Sequence, residues 1–325
     1  MTKHLPFLFK RLLYAATLVF AVLAINFALI HAAPGDPALV IAGEMGGADE
    51  AFIAEIRKEY GLDKPILQQF TTYIGRVLSG DLGRSYLYSQ PVTDLIFDRV
   101  WPTLLLVTTS LVFAIIVGTA LGVFAARRPD GIASGLVTVI SMVGYAMPVF
   151  WTGILLVILF GSIIPIMPIS GMRDVRLYGD WWVTTVDVLH HLVLPALTLA
   201  TIYLALYSRL ARASMLEVLG SDYIRTARAK GLSDFFVTYK HALRNAMMPL
   251  VTMAGLQFGN LISGAVLVET VFSWPGLGTL ALDAILGRDY PVLLGVLTFA
   301  AILTIIANQL TDLTYRLVDP RLRHA

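Results

Sequence analysis

Six long runs of apolar residues dominate the sequence and restrict what the chain can fold into. A helix of about 20 apolar residues crosses the hydrocarbon core of a bilayer. Only 14% of the 325 residues are charged, whereas a soluble domain carries about a quarter. The sequence therefore predicts an all-α integral membrane protein with six transmembrane helices near Leu8–Ile30, Thr103–Ala126, Leu136–Ile164, Leu192–Leu210, Leu250–Val271 and Val292–Tyr315.

Lysine and arginine are unevenly distributed among the short links between these runs. Cytoplasmic links of membrane proteins carry an excess of both residues. One side, formed by the two termini and the second and fourth links together with the span ends that flank them, carries 15 of them. The short links of the other side carry only Arg173, Arg176 and Arg288. We therefore predict that both termini are cytoplasmic and that Ala32–Trp101 lies outside. The tryptophans at predicted outer ends agree with this orientation, because their rings favour the headgroup region: Trp101, Trp181, Trp182 and Trp274.

The long outer segment contains two stretches with helical spacing of apolar residues. Gly61 suits the end of the first helix and Pro65 the start of the second. These helices either pack on the outer ends of the spans or cover the outer mouth. The apolar residues that carry this prediction are Phe52, Ile56, Tyr60, Ile66, Phe70, Ile74 and Val77.

A long basic segment separates the fourth and fifth runs. It reads RTARAKGLSDFFVTYKHALRNAMMP over Arg225–Pro249. Ser221 or Asp222 can cap a short helix that Gly231 ends, because glycine adopts a left-handed conformation without strain. Ser233 can cap a second helix over Asp234–Met247. A helix this short is marginal alone, so it rests either on anionic lipid or against a cytosolic protein, and the residues alone leave both open.

Several polar or helix-breaking residues fall inside the predicted spans. Gln257 and Asn260 share a helix face with Gly264 beyond them, a stripe that suits either a polar path or helix packing. Pro148, after VGYAM, marks a pore bend or a packing kink. Glu269 and Asp312 lie near span ends, where structural pairing and a functional role are both open.

The sequence excludes several kinds of chemistry. It contains no cysteine and no Gly-Lys dipeptide, so it has neither a thiolate site nor the usual phosphate-binding loop. A net charge of +2 points to no nucleic-acid partner. A secondary transporter would show an internal repeat with paired broken helices, and a membrane enzyme would show a catalytic cluster. Neither pattern is found.

Motifs along nearly the whole chain resemble those of ABC importer permeases of the dipeptide/oligopeptide/nickel branch. The segment DYIRTARAKGLS with HALRNAMMP resembles that branch's form of the EAA loop, which couples a permease to its ATPase. Arg225, His241 and Arg244 depart from the general Glu-Ala-Ala…Ile-x-Leu-Pro pattern. The short N-terminus and long first outer loop resemble the B-type member of the permease pair. The other matching motifs are APGDP (Ala33–Pro37), YGLDKPILQQF (Tyr60–Phe70), GDLGRSYLYSQPV (Gly80–Val92), VETVFSWPGLG (Val268–Gly278) and VDPRLR (Val318–Arg323).

The resemblance implies a type I ABC importer permease fold with a cytoplasmic coupling helix. Residues 1–31 would hold the N-terminus and first helix, 32–101 the periplasmic segment, 102–315 the helical core with coupling loop 213–247, and 316–325 a cytoplasmic tail. The candidate path residues are Tyr145, Pro148, Gln257, Asn260 and Gly264. The residues expected to face a binding protein are Trp274, Pro275 and Gly276. The expected ATPase-coupling residues are Asp222, Tyr223, Arg225, Thr226, Ala227, Arg228, Lys230, Gly231 and Leu232.

The resemblance also implies partners and a location. The chain would form half of the translocation path for peptides or a related small solute, in the bacterial inner membrane. A homologous permease, two ATPase subunits and a periplasmic substrate-binding protein would complete the importer. ATP and Mg²⁺ would bind the ATPases, so the chain is expected to be a transport subunit without enzymatic activity, cofactor or metal. Dipeptides, oligopeptides, glutathione, nickel, opines and glycosides all remain open as substrates.

Overall fold

The computed structural model describes residues 5–32, 37–44, 49–59, 62–177 and 179–318. Regular structure in these ranges is helical, as the apolar runs predict. Gly61 and most of the APGDP and VDPRLR motifs lie outside them. The helices are α1 (Leu5–Ala32), α2 (Pro37–Glu44), α3 (Glu50–Glu59), α4 (Ile66–Leu78), α5 (Val92–Arg127), α6 (Ile132–Ala146), α7 (Val149–Val157), α8 (Trp181–Leu219), α9 (Asp222–Ala229), α10 (Asp234–Phe236), α11 (Leu243–Val271), α12 (Leu277–Leu286) and α13 (Tyr290–Val318).

Three of the described helices are long and apolar enough to cross a membrane, namely α5, α8 and the Tyr290–Gln309 part of α13. The pair α6–α7, with the π-helical turn Ile158–Ile163 that continues α7, gives a fourth candidate if counted as one span. Within α1, the stretch Leu13–Leu29 is apolar but shorter. The helices extend well beyond several predicted runs; α8 has 39 residues, although its apolar run was predicted at Leu192–Leu210.

Two prolines lie in or beside predicted spans, and only Pro148 interrupts its helix as predicted. Pro148 separates α6 from α7 by a bend of 103°, so the predicted third span is not one straight helix. The residue before it, Met147, is extended with ψ 134°, as steric conflict with a following proline favours. The predicted helix Asp234–Met247 and the predicted span Leu250–Val271 were separate, and this is wrong because α11 runs through Pro249 between them. Helical structure runs from Asp234 to Val271 through the π-helical segment Val237–Ala242.

The described residues divide into two compact units. The first consists of Met1–Trp101 and Thr279–Ile305. It contains the two predicted amphipathic helices as α3 and α4, with Pro65 at the N-cap of α4, and the additional helix α2. Buried Asp289 fixes a loop of this unit, because Ser85 Oγ and the Leu87 N–H both donate to its Oδ2.

The second unit, Pro102–Gly278 with Ile306–Ala325, is built around α8. Helices α6, α7 and α11 pack on α8, and their apolar side chains form the main core. Gly118 and Gly122 of α5 let the backbones of α5 and α8 approach closely. A Cβ at Gly118 would lie 2.8 Å from Tyr207 Cβ, and one at Gly122 would lie 2.6 Å from Ala211 Cβ. Small residues four apart are a usual device for close helix packing in membranes.

Candidate functional site

The short basic helix α9 is held by the chain's own core. Ile224 is 0% exposed and Ala227 is 8% exposed. Both pack into a cluster with residues of α5, α8, α11 and the π-helical segment. Asn245 Nδ2 also donates to Tyr223 Oη at 2.7 Å. The helix therefore does not depend only on lipid or a cytosolic protein, the two supports that the sequence left open, because its apolar side chains pack on the chain's own core. The residues around it in the cluster are Val123, Ala126, Met215, Val237, Ala242 and Ala246.

The end of α9 is fixed by glycine geometry. Gly231 has φ +81°, which confirms the predicted left-handed conformation. The Leu232 N–H donates to Ala227 O at 3.4 Å, and the Gly231 N–H donates to Arg228 O at 2.9 Å. This pair of bonds is the Schellman motif. At the other end Ser221 takes the N-cap position, but its hydroxyl donates to Val218 O at 2.6 Å and does not cap the helix.

The outer face of α9 is charged and solvent-exposed. Arg225 Nη1 lies 3.4 Å from Asp222 Oδ1, and Arg228 Nε lies 3.5 Å from Asp234 Oδ1. Thr226 and Lys230 are also exposed, as are Gly231 and Leu232. Of the nine predicted coupling residues, eight therefore lie on the surface and Ala227 is buried behind them.

Beside this charged face lies a group of exposed apolar and aromatic side chains that sequence reasoning missed. The rings of Phe235 and Tyr239 are 4.8 Å apart. The ammonium of Lys240 lies 5.7 Å from the ring of Phe236. The signal was present in the run DFFVTY, because its adjacent residues Phe235 and Phe236 cannot both lie on one buried helix face. We call the following set the docking surface: Asp222, Tyr223, Arg225, Thr226, Arg228, Lys230, Leu232, Phe235, Phe236 and Tyr239.

The candidate path residues lie on two helical regions of the second unit. Tyr145 is 55% exposed near the end of α6, and Pro148 lies at the bend that follows. Gln257 is half-buried on α11. The helix α11 also carries Asn260 and Gly264, whose side-chain positions lie outside what the structure describes. Whether these residues line a path stays a prediction.

A buried carboxylate forms hydrogen bonds that hold the turn WPGLG in place within the second unit. Glu269 is 0% exposed; its Oε1 accepts from Thr103 Oγ1 at 2.6 Å, and its Oε2 accepts from the Gly278 N–H at 2.7 Å. Thr103 Oγ1 in turn accepts from the Leu277 N–H at 2.8 Å. A Cβ at Gly276 would overlap the carboxylate. Structural pairing, one of the two roles open for Glu269, is what the geometry displays.

The side chain of Trp274 is buried, unlike the other tryptophans at predicted outer ends. Its side chain is 0% exposed, and its indole Nε1 donates to Pro102 O at 2.9 Å. This ring cannot itself contact lipid headgroups or a binding protein, because it is buried in the core with its donor satisfied. Whether the turn faces a binding protein stays a prediction. Gly276 is buried as well, and Pro275 is half-buried. Trp101, Trp181 and Trp182 are exposed, with exposed fractions of 65%, 76% and 61%.

The first unit contains a cavity of about 180 Å³ lined by aromatic and polar side chains. Tyr73 of α4 and Thr298 of α13 are among the residues that line it. Burial raises the pKa of the Tyr73 hydroxyl, and hydrogen bonds with Thr298 and Asn26 oppose that rise. Within the described ranges, no group of three or more histidine or acidic side chains could hold a metal ion.

Comparison with known proteins identifies the family. The model of the family described as binding-protein-dependent transport system inner membrane component matches residues 118–324. A model of the N-terminal part of such components matches residues 4–108. The chain belongs to this family.

Similar curated proteins cover the chain almost completely. The dipeptide transport system permease protein DppB of Escherichia coli is 41% identical over 338 residues, which is 98% of this chain and 99% of that protein. The di/tripeptide permease protein DppB of Pseudomonas aeruginosa is 41% identical over 334 residues, with the same coverage. The glutathione permease protein GsiC of E. coli is 40% identical over 324 residues, again covering 98% and 99%.

Solved structures show the same fold. A chain of the MetNI methionine ABC transporter, from a study of its inward-facing conformations, aligns with a TM-score of 0.55 at 21% identity over 69% of this chain and 96% of that chain. A chain of an amino acid ABC transporter aligns with a TM-score of 0.51 at 13% identity over 69% and 94%. The binding-protein-dependent component described here therefore has the ABC importer permease fold. It is a membrane-embedded permease subunit of an ATP-driven importer and not an enzyme, and such a subunit works with ATPase and binding-protein partners.

Proposed function

We propose that this subunit forms half of the translocation path of a peptide importer and pairs with a second, homologous permease. Three similar proteins are named for dipeptides, di- and tripeptides, and glutathione, which are all short peptides. In this proposal a periplasmic binding protein delivers the peptide. Two ATPase subunits bind ATP and Mg²⁺ and drive alternating access, so this chain itself carries no cofactor.

The observation that supports coupling through α9 is the docking surface. Its aromatic and leucine side chains are exposed beside a short helix whose back is anchored in the core. Contiguous exposed apolar side chains with charged neighbours are typical of protein interfaces. A rigid helix that presents such a face can pass the movement of an ATPase to α5, α8 and α11, because Ile224 and Ala227 contact the same core cluster as those helices.

The docking surface favours a protein partner over anionic lipid. Both arginines of α9 lie within 3.5 Å of an aspartate carboxylate, Arg225 beside Asp222 and Arg228 beside Asp234. An anionic membrane surface would attract the arginines but repel the exposed aspartates, so the net attraction is small. A protein groove can match both signs of charge and can also cover Phe235 and Phe236.

We further propose a topology of six spans with both termini in the cytoplasm and Ala32–Trp101 in the periplasm. The distribution of lysine and arginine supports this orientation, with 15 on the proposed inner side and three in the short outer links. The exposed Trp101, Trp181 and Trp182 suit the outer headgroup region. In this arrangement the spans are α1, α5, the bent pair α6–α7, α8, α11 and α13.

Photocrosslinking on the assembled importer tests the coupling role. Because the chain has no cysteine, Thr226→Cys provides a single attachment site for a thiol-linked photocrosslinker on the exposed side of α9. We expect this site to cross-link to the ATPase subunit. Arg128→Cys, exposed in the turn after α5, is the matched control and should give little product. Cross-linking of Thr226→Cys to lipid alone would refute the coupling role.

A further inference from the structure

An arginine and a tyrosine meet on the exposed surface of the second unit. The guanidinium carbon of Arg209, on α8, lies 5.2 Å from the ring centroid of Tyr145, on α6. Both residues are exposed. In the described part of the chain, Arg209 forms no ion pair with an acidic side chain. Its positive charge is thus held over an aromatic face and open to an anion.

Neighbouring contacts show how deep this pair lies. Arg212, one turn further along α8, donates to Pro129 O at 3.4 Å and to Ser134 Oγ at 3.2 Å. Pro129 belongs to the charged turn between α5 and α6, so Arg212 lies at the cytoplasmic edge of the hydrocarbon in the proposed topology. Tyr145 lies eleven residues beyond Ser134 on α6, or about 16 Å along the helix axis.

The directions of the two side chains place the guanidinium of Arg209 deeper than Arg212. Helical side chains lean toward the N-terminus of their own helix. Helices α6 and α8 run in opposite directions, since Ser134 lies near Arg212 whereas Gly144 lies near Thr201. Tyr145 therefore leans toward the Arg212 level and Arg209 leans away from it, and they meet between the two. Charged groups at such depth face a water-filled cavity or a partner.

We propose that Arg209 lines the aqueous path and binds the carboxylate of the transported peptide, with the Tyr145 ring holding the guanidinium in place. The planar guanidinium can donate two parallel hydrogen bonds to a carboxylate while its face stays on the aromatic ring. Every short peptide with a free C-terminus carries this anion, whatever its side chains. The inference rests on the proposed function and names one contact within its path.

Charge rescue in the complete importer, reconstituted in lipid vesicles, tests this proposal. Arg209→Cys places one thiol in a cysteine-free chain. We expect uptake per ATP hydrolysed to fall about tenfold or more, as for loss of one hydrogen bond to a charged group. A positively charged methanethiosulfonate reagent should restore part of the uptake, a negatively charged one should not, and saturating peptide should slow both reactions. Ile140→Cys, 65% exposed on another side of α6, should not react with either reagent and should transport normally.

The possible outcomes distinguish three failures: of the position of Arg209 in the path, of its contact with the carboxylate, and of the proposed function. An Arg209→Cys thiol that neither charged reagent reaches would show that lipid or the partner permease covers this position and would overturn the inference. Equal effects of the two reagents, or no protection by peptide, would overturn the carboxylate contact. If Arg209→Cys does not assemble, Arg209→Lys must retain more uptake than Arg209→Gln for the proposal to stand. Absence of peptide uptake by the unmodified importer would instead refute the proposed function.

Discussion

At the scale of single residues, Glu269 illustrates how a buried carboxyl group can stabilise the fold. Its two oxygens accept from Thr103 and from the backbone of Gly278, so both ends of the carboxylate have a donor. These hydrogen bonds offset the cost of burying a polar group away from water. The sequence identified Glu269 as a polar residue with a neighbour, but it could not identify the neighbour, because Thr103 is 166 positions away.

Replacement of Glu269 by glutamine should destabilise the second unit. The carboxylate of Glu269 accepts from Thr103 Oγ1 and from the Gly278 N–H, so the NH₂ group of glutamine would face a donor. Thr103 Oγ1 already accepts from the Leu277 N–H, so it is poorly placed to accept from this NH₂ group as well. We expect a loss of about 2 kcal/mol, the cost of one poorly paired buried polar group. Thermal unfolding of the purified assembly would report this as a lower Tm than that of Glu217→Gln, an exposed control on α8. Equal Tm values would contradict this account of the turn.

Gly231 should be sensitive to substitution because of its backbone conformation and not because of crowding. No atom lies within 4 Å of a Cβ built there, so substitution meets backbone strain without a steric clash. Gly231→Val should cost about 1 kcal/mol or more locally and re-aim α9, leaving insertion intact but abolishing transport and stimulated ATP hydrolysis. Gly231→Asn is the matched control, because asparagine tolerates positive φ. Normal transport with valine would show that this turn does not set the helix direction.

At the scale of elements, hydropathy predicted where helices lie better than where they end. Every predicted apolar run falls on helical segments, but α8 continues nine residues past its run into polar sequence, up to Leu219. A helix can continue into polar sequence when one of its faces stays buried, and Ser214 and Met215 lie on such a buried face here. A hydropathy window averages over all faces and does not detect it. The break at Pro148 and the continuity at Pro249 also depend on neighbouring helices, so the sequence alone could not separate the two cases.

The π-helical segment Val237–Ala242 sets the angle between the docking surface and α11. A π turn contains one residue more than the α-helical path it replaces. Deletion of exposed Tyr239 should convert it to α-helix and rotate the preceding residues by about 100° relative to α11. We expect a subunit that inserts but binds its ATPase poorly when the two are co-purified.

Tyr239→Ala is the control for this deletion, because it removes the same side chain and keeps the register. It should retain much more ATPase than the deletion variant. If both variants lose the ATPase equally, the side chain matters and the register does not.

At the scale of the whole molecule, the sequence determined the class of protein but not which surface is free. Composition and charge bias led to an α-helical membrane protein, and the ordered motifs led to the permease family. The run DFFVTY indicated that some of its rings stay exposed, but neither which rings these are nor the burial of Trp274 could be predicted from the sequence. Both depend on which faces other helices cover, as for Phe235 at 63% exposed and Trp274 at 0%.

The orientation of the molecule can be tested directly because the chain contains no cysteine. Thr71 is exposed on α4, in the proposed periplasmic segment, and Glu217 is exposed on α8 near the proposed cytoplasmic face. In intact cells with a permeable outer membrane, a membrane-impermeant maleimide should label Thr71→Cys but not Glu217→Cys. Inverted membrane vesicles should give the opposite pattern, because the proposed topology places the two positions on opposite sides of the bilayer. Labelling of Thr71→Cys only in inverted vesicles would reverse the orientation, and it would move the docking surface to the side of the membrane that holds no ATPase.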